Sequence, residues 1–291
     1  MSISGHAEYH PSSLFLLLRY ELIKIFFKWR TYIGFITLTV VIPLVEIALK
    51  LEGGTMVQNM TRNLSRDFLL IGNLFNAYWV TYTLMMSLWV HVPFLIALVA
   101  GDQLAGEATS GTVRLLLTRP ASRSRILLSK YLAALVYAAL LVIFLGAVGV
   151  GVGLILFGPG DLLVVGKEFT IIPSASVPTR LMLGFGLAVF SMWCVASLAF
   201  LFSSLVENAI GPIIATMAVI IVFFVIANLP IESLQAVRPY LFTTYMNIWM
   251  QAFEMPIRWG EIASSLMRLA GFSVGFYLVT WYIFVKKDVL S

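Results

Sequence analysis

Between Tyr131 and Gly160 this chain carries no charged residue, and five further runs are just as apolar or nearly so. An uninterrupted run of roughly 20 apolar residues spans the ~30 Å hydrocarbon core of a bilayer when it is helical. It must be helical there, because lipid offers no partner for a free backbone N–H or C=O. The runs fall at residues 32–49, 78–99, 131–157, 181–206, 210–229 and 269–285. Composition points the same way: 60% of the 291 residues are hydrophobic and 11% are charged, against about 25% charged in a soluble domain. The sequence therefore predicts one all-α integral membrane domain over 1–291 with six transmembrane helices, and it excludes a soluble globule.

Three segments between or before the runs are too polar to cross. In residues 12–30, Arg19, Glu21, Lys24 and Lys28 interrupt Phe15, Leu18, Leu22, Ile25 and Trp29 at helical spacing. Spanning would bury four charges, so the pattern predicts an amphipathic helix lying on the membrane, its Lys heads turned toward lipid phosphate. Residues 101–130 form a basic island with Asp102 and Glu107 at its start and Arg114, Arg119, Arg123, Arg125 and Lys130 after them. Asp102 to Leu117 can make a short helix, Pro120 stops it, and Ser122 or Ser124 can cap the next. This reads as a helical knob held at the membrane surface, a contact site for another protein. Residues 230–268, rich in aromatics and Met, carry Arg238, Glu254, Arg258 and Glu261 and predict short helices on or in the outer leaflet. Residues 52–77 and 161–180 are modest loops.

Orientation follows from the basic residues. With the N-terminus inside, the cytoplasmic segments hold eleven cations and six anions, a net +5, while the outer segments hold eight of each. Six spans then put both termini in the cytoplasm of a multi-pass cell-membrane protein. The first residues lack the basic start, apolar core and small-residue cleavage site of a signal peptide, so the segment is expected to stay on the chain.

Chemistry is sparse. Gly166-Lys167 invites a phosphate-loop reading, but the places for the earlier Gly and the following Ser or Thr hold Asp161 and Glu168. A polar outer loop is the better reading. No H-E-x-x-H and no G-x-S-x-G occurs, and the single Cys194 sits in an apolar run, which argues against a disulfide framework or metal cluster. No catalytic residue, metal or cofactor is expected on this chain, and no nucleic-acid partner. Among polar groups inside spans, Asn76, Thr81 and Tyr82 could line a pathway or simply cap and finish a helix at the headgroups. His91 is an intramembrane ionisable group, a functional candidate by default, or a neutral ring satisfied by a neighbouring hydroxyl. Glu46 can pair with Lys50 one turn on. Gly149-x-x-x-Gly153 and Gly271-x-x-x-Gly275 permit close helix approach.

Glu107, Gly111-Thr112, Leu115-Leu116, Pro120, Ser122-Arg123 and Lys130, set between the second and third runs, carry a family resemblance. With the six runs, the interfacial helix and the terminal F-x-K-K-D-x-L-S, the chain resembles the permease subunits of ATP-binding-cassette exporters of the second type (the type V exporter architecture). The resemblance implies that the loop between spans two and three is a coupling helix docking on a separate ATPase subunit. It carries that role to Glu107, Gly111, Thr112 and Arg114, with Glu107 either an ion-pair partner for the ATPase or a solvated charge. It further implies a second permease copy, identical or related, and ATP and Mg held by the ATPase. Two other readings stand beside it: a membrane anchor or mechanotransmission subunit driven by such an ATPase, and an integral-membrane lipid enzyme.

Overall fold

A computed structural model describes residues 13–61, 75–109, 122–165 and 169–286. Five of its helices are long and apolar enough to cross a membrane: α2 (Trp29–Thr61), α6 (Arg123–Phe157), α7 (Val177–Leu205), α8 (Gly211–Asn228) and α10 (Trp259–Lys286). The remaining apolar run is broken. α3 (Ala77–Leu88) and α4 (His91–Ala100) are apolar enough together but meet at 59°. Pro93 explains the bend: it has no N–H, and its ring collides with the carbonyl four residues back, at Trp89, where the helix parts. The smaller elements are α1 (Leu14–Phe27), α5 (Asp102–Thr109), α9 (Glu232–Gln235) and two 3₁₀ helices, Arg238–Tyr240 and Phe242–Phe253.

Several helices start before their apolar runs. Ser122 caps α6 by accepting from the Arg125 N–H, and the helix then runs 35 residues to Gly158. That is about 52 Å of helix for ~30 Å of hydrocarbon, so its first turns, with Lys130, stand clear of the apolar run. α2 likewise starts at Trp29, directly after an elbow at Lys28, whose extended backbone (φ −84°, ψ 129°) ends α1. Gly158 turns the chain at φ +71°, a left-handed value that glycine adopts without strain.

The segment after α6 departs from an all-α fold. β1 (Leu162–Val165) and β2 (Phe169–Ile172) pair antiparallel, Leu162 opposite Ile172 and Val165 opposite Phe169. β-branched and aromatic residues favour a pleated pair here, and Leu162 and Ile172 are both fully buried. Gly166 and Lys167, which follow β1 in the sequence, lie outside the described residues.

α7 is the central pillar, flanked by α4, α5, α6, α8, α10 and the longer 3₁₀ helix. Lipid removes the hydrophobic drive between helices, so small residues and hydrogen bonds hold them. Gly153 lets α6 approach Ala77 on α3, and Gly184 makes room on α7 for the ring of Phe253. The Ser191 hydroxyl donates to the Met246 carbonyl at 2.9 Å, and the Trp193 indole donates to the Leu135 carbonyl at 3.0 Å. In the segment 230–268, residues 232–253 form short helices and 259–268 already belong to α10, but Phe242–Phe253 turns inward. Its Phe242, Trp249 and Phe253 are fully buried, and the Trp249 ring lies 5.6 Å from Tyr82 and 5.8 Å from Trp89. Protein thus surrounds this irregular stretch of backbone.

Candidate functional site

Gly101 ends the bent pair, and α5 starts at once with Asp102, an acidic residue placed where the helix dipole favours it. The orphan N–H groups of this short helix are met from another helix. The Ser203 hydroxyl of α7 accepts from Leu104 N and Ala105 N, both at 3.0 Å, and donates to the Gly101 carbonyl at 2.6 Å. At the other end the Thr109 hydroxyl donates to the Glu207 carbonyl at 2.7 Å, in the turn after α7. α5 is thus clamped to α7 at both ends.

Its two acids anchor the other side. Asp102 accepts from Lys28 Nζ at 2.6 Å and Arg30 Nη1 at 3.1 Å, across the elbow between α1 and α2. Glu107 takes Lys130 Nζ of α6 at 2.5 Å and is also paired with Lys24 of α1. Lys130, only 1% exposed, reaches Glu21 of α1 as well, at 2.9 Å. Gly106 is required for this arrangement, since a Cβ there would lie 2.3 Å from Asp102 Oδ1. Burial, with Lys130 close by, pushes the Lys24 ammonium down from 10.5 to about 8, against the pull of Glu21. Buried ion pairs add little net stability, yet losing one partner is costly. The junction is therefore a positioning device: it fixes α5 against α1, α2, α6 and α7 at once.

The geometry revises several sequence expectations. The basic side chains Lys24 and Lys28 of α1 turn to protein carboxylates, not to lipid phosphate, because Glu107 and Asp102 lie within reach across the fold. Glu107 is neither a solvated charge nor free to pair outward: its carboxylate is buried between Lys24 and Lys130. The short helix ends its described course at Thr109, and Gly111, Thr112 and Arg114 lie outside the described residues. Glu46 does not pair with Lys50. It is fully buried with neither carboxylate oxygen partnered, while Lys50 is exposed.

The polar residues of the second run are likewise spent inside one chain. Asn76 caps α3, accepting from Tyr78 N at 3.0 Å and Trp79 N at 3.2 Å and donating to the Asp161 carbonyl at 2.7 Å. Thr81 is buried and bonds the Ala77 carbonyl at 2.9 Å. Tyr82 is buried against Trp249 and Phe253. Of the four pathway candidates only His91 is exposed, at the break between α3 and α4, with Nδ1 3.3 Å from the Ser87 carbonyl in place of the expected hydroxyl. Ser203 was not singled out in the sequence; its signal is the hydroxyl pair Ser203-Ser204 closing an apolar run just before Glu207.

Five apolar helices long enough to cross a bilayer, with the bent α3–α4 pair beside them, mark a polytopic α-helical membrane protein. The chain belongs to the family described as a protein of unknown function (DUF2705), whose model matches residues 67–290 and so takes in α5, α6 and α7 but not α1. It is similar to the uncharacterized protein YhcI of Bacillus subtilis (strain 168), 28% identical over 209 residues. That alignment takes in 68% of this chain and 64% of YhcI, less than two thirds of the relative's length.

Proposed function

We propose that the chain is the permease subunit of an ATP-binding-cassette exporter of the second type, driven by a separate ATPase subunit. In this reading the bent α3–α4 pair is the second of six spans, and α5 opens the coupling loop. The observation that carries the proposal is the clamping of α5. A short helix at the end of a broken span is fixed by Ser203 to the central pillar and by Asp102 and Glu107 to three further helices. Force applied to such a helix reaches the whole bundle without drawing a segment out of lipid. The ATPase contact then falls to Gly111, Thr112 and Arg114, and Glu107 serves by holding α5. A second permease copy, identical or related, completes the transporter. Any path between copies is lined by exposed groups such as His91, since Asn76, Thr81 and Tyr82 are buried within one chain. ATP and Mg belong to the ATPase, and α1 and the elbow lie on the cytoplasmic side with both termini.

The test is isolation of the tagged full-length chain from its own cells in mild detergent, followed by mass spectrometry and ATP hydrolysis measurements. An ATPase subunit in stoichiometric amount, with hydrolysis rising on reconstitution with the permease, is the expected result. Recovery of the chain as a homogeneous particle with no nucleotide-hydrolysing partner would remove the reading.

Orientation is tested separately. Cys194 is buried, so single introduced cysteines report cleanly. Ser174→Cys, in the exposed turn after β2, is expected to react with a membrane-impermeant maleimide in intact cells, and Ser13→Cys only after lysis. The reverse pattern would invert the topology.

A further inference from the structure

The elbow at Lys28 folds α1 back against the start of α2, and an open groove of about 580 Å³ lies in its angle. Its walls are apolar, chiefly Phe15, Leu18, Leu22, Ile23, Phe26 and Tyr32, with one charged residue, Arg19. This volume is in the usual range of ligand sites. Two features distinguish it from a plain greasy surface. First, Tyr32 of the lining shares a helix face with Ile36 and Val40 of α2, one and two turns further on and both exposed, so apolar surface runs on from the groove along a candidate span. Trp29 and Tyr32, both exposed, stand at that transition, where amphipathic rings favour the headgroup level of a bilayer. Second, the cations of α1 divide by face. Lys24 and Lys28 turn inward to Glu107 and Asp102, whereas Arg19 is exposed on the groove and is in no ion pair among the described residues.

We propose that this elbow is a binding site for a single phospholipid, its phosphate held by Arg19 and one acyl chain laid in the groove toward α2. Guanidinium matches phosphate in charge and fork geometry, and the apolar walls match the chain. A soluble anion would gain nothing from the Phe15–Phe26 wall, and a neutral lipid would leave Arg19 unanswered beside it. The site tethers α1, and through Lys24 and Glu21 the charged junction, to the bilayer. The inference rests on the membrane location of the chain, not on transport, and its test uses neither ATPase nor substrate.

The purified, delipidated full-length chain is incubated with phosphatidylglycerol bearing a photoreactive group on one acyl chain, and cross-links are mapped by mass spectrometry. Saturable cross-linking within residues 15–32, displaced by unlabelled phosphatidylglycerol and not by diacylglycerol or inorganic phosphate, is expected. Arg19→Gln should weaken it about tenfold, Arg19→Lys should restore part of it, and Ile23→Trp should block the chain's path. All three variants should keep the parental thermal midpoint, because none of these residues joins the junction. Displacement by diacylglycerol as readily as by phospholipid would remove the phosphate role. Displacement by a peptide of residues 1–13 would assign the groove to the protein's own leading segment. Undiminished labelling in both Arg19→Gln and Ile23→Trp would overturn the site altogether.

Discussion

Replacing Lys130 with Met is expected to cost about 3–5 kcal/mol, the penalty for removing one member of a buried ion pair. Its ammonium is 1% exposed and sits between two carboxylates, Glu21 at 2.9 Å and Glu107 at 2.5 Å. Met matches the stem but supplies no positive charge, so two acids from different helices face each other with one cation fewer. A loss of this size lowers the thermal midpoint in detergent by on the order of 10 °C and reduces recovery of monodisperse protein. The double variant Lys130→Met with Glu21→Gln should regain much of the loss, since Glu21 has no other ion-pair partner among the described residues while Glu107 keeps Lys24. Arg258 provides the contrast. It also bridges two acids, Glu254 at 2.6 Å and Glu261 at 2.8 Å, but all three side chains are exposed. Exposed pairs gain little against water and side-chain entropy, so Arg258→Met should leave the midpoint unchanged within error. Equal shifts for the two variants, or no rescue in the double variant, would show that the junction is not a buried ionic anchor.

The contrast between Lys130 and Arg258 also marks what the sequence could reveal. Both read as cations in polar segments, and nothing local separates them. Lys130 is 109 residues from Glu21 and Lys24 is 83 from Glu107, so the junction exists only after the fold brings α1, α5 and α6 together. Local periodicity on α1 pointed to a helix, which forms over Leu14–Phe27, but assigned its lysines to lipid, because their protein partners lay far along the chain. The apolar runs were legible for the opposite reason: hydrocarbon thickness acts on each stretch alone. Even there, hydropathy marks where lipid ends, not where the helix ends. α6 begins at Arg123 and α10 at Trp259, well outside the runs 131–157 and 269–285. Pro93 lies just past the break near Trp89, whereas Pro43 sits inside a continuous α2, so a proline alone does not decide between a bend and a tolerated gap. Asn76 carried two readings, and the cap prevailed because its side chain closes α3 and ties it to the Asp161 carbonyl. Ser203 was hidden because a hydroxyl near the end of an apolar run has no local signature of the distant backbone it will cap.

Gly101→Val is expected to separate α5 from the bundle that it is proposed to drive. The residue lies in the right-handed region (φ −68°, ψ −23°), so glycine is not needed there for its backbone freedom. It is needed for space. A Cβ at Gly101 would sit 2.7 Å from the Ala97 carbonyl oxygen and 3.0 Å from Pro212 Cβ at the start of α8. The first contact is with backbone and cannot be relieved by a rotamer change. Valine must therefore push α8 away or strip the Gly101 N–H from Ala97, a 2.8 Å bond that closes α4. Overpacking of this kind typically costs about 1–3 kcal/mol, enough to shift a joint without abolishing insertion of the apolar helices. The Gly101 carbonyl is also the acceptor for Ser203, at 2.6 Å, so the same displacement loosens the hydroxyl that caps α5. Under the permease reading, the variant should still bind its ATPase through the loop beyond Thr109, and ATP hydrolysis should persist while substrate movement falls at least tenfold. Gly101→Ala should show the same defect in weaker form. Adding Pro212→Gly to that alanine variant removes one of the two clashing atoms and should restore part of the coupling. A valine variant that moved substrate at the parental rate per ATP would mean that α5 is a passive turn. A variant that lost the ATPase entirely would instead place the docking surface on α5 and its junction.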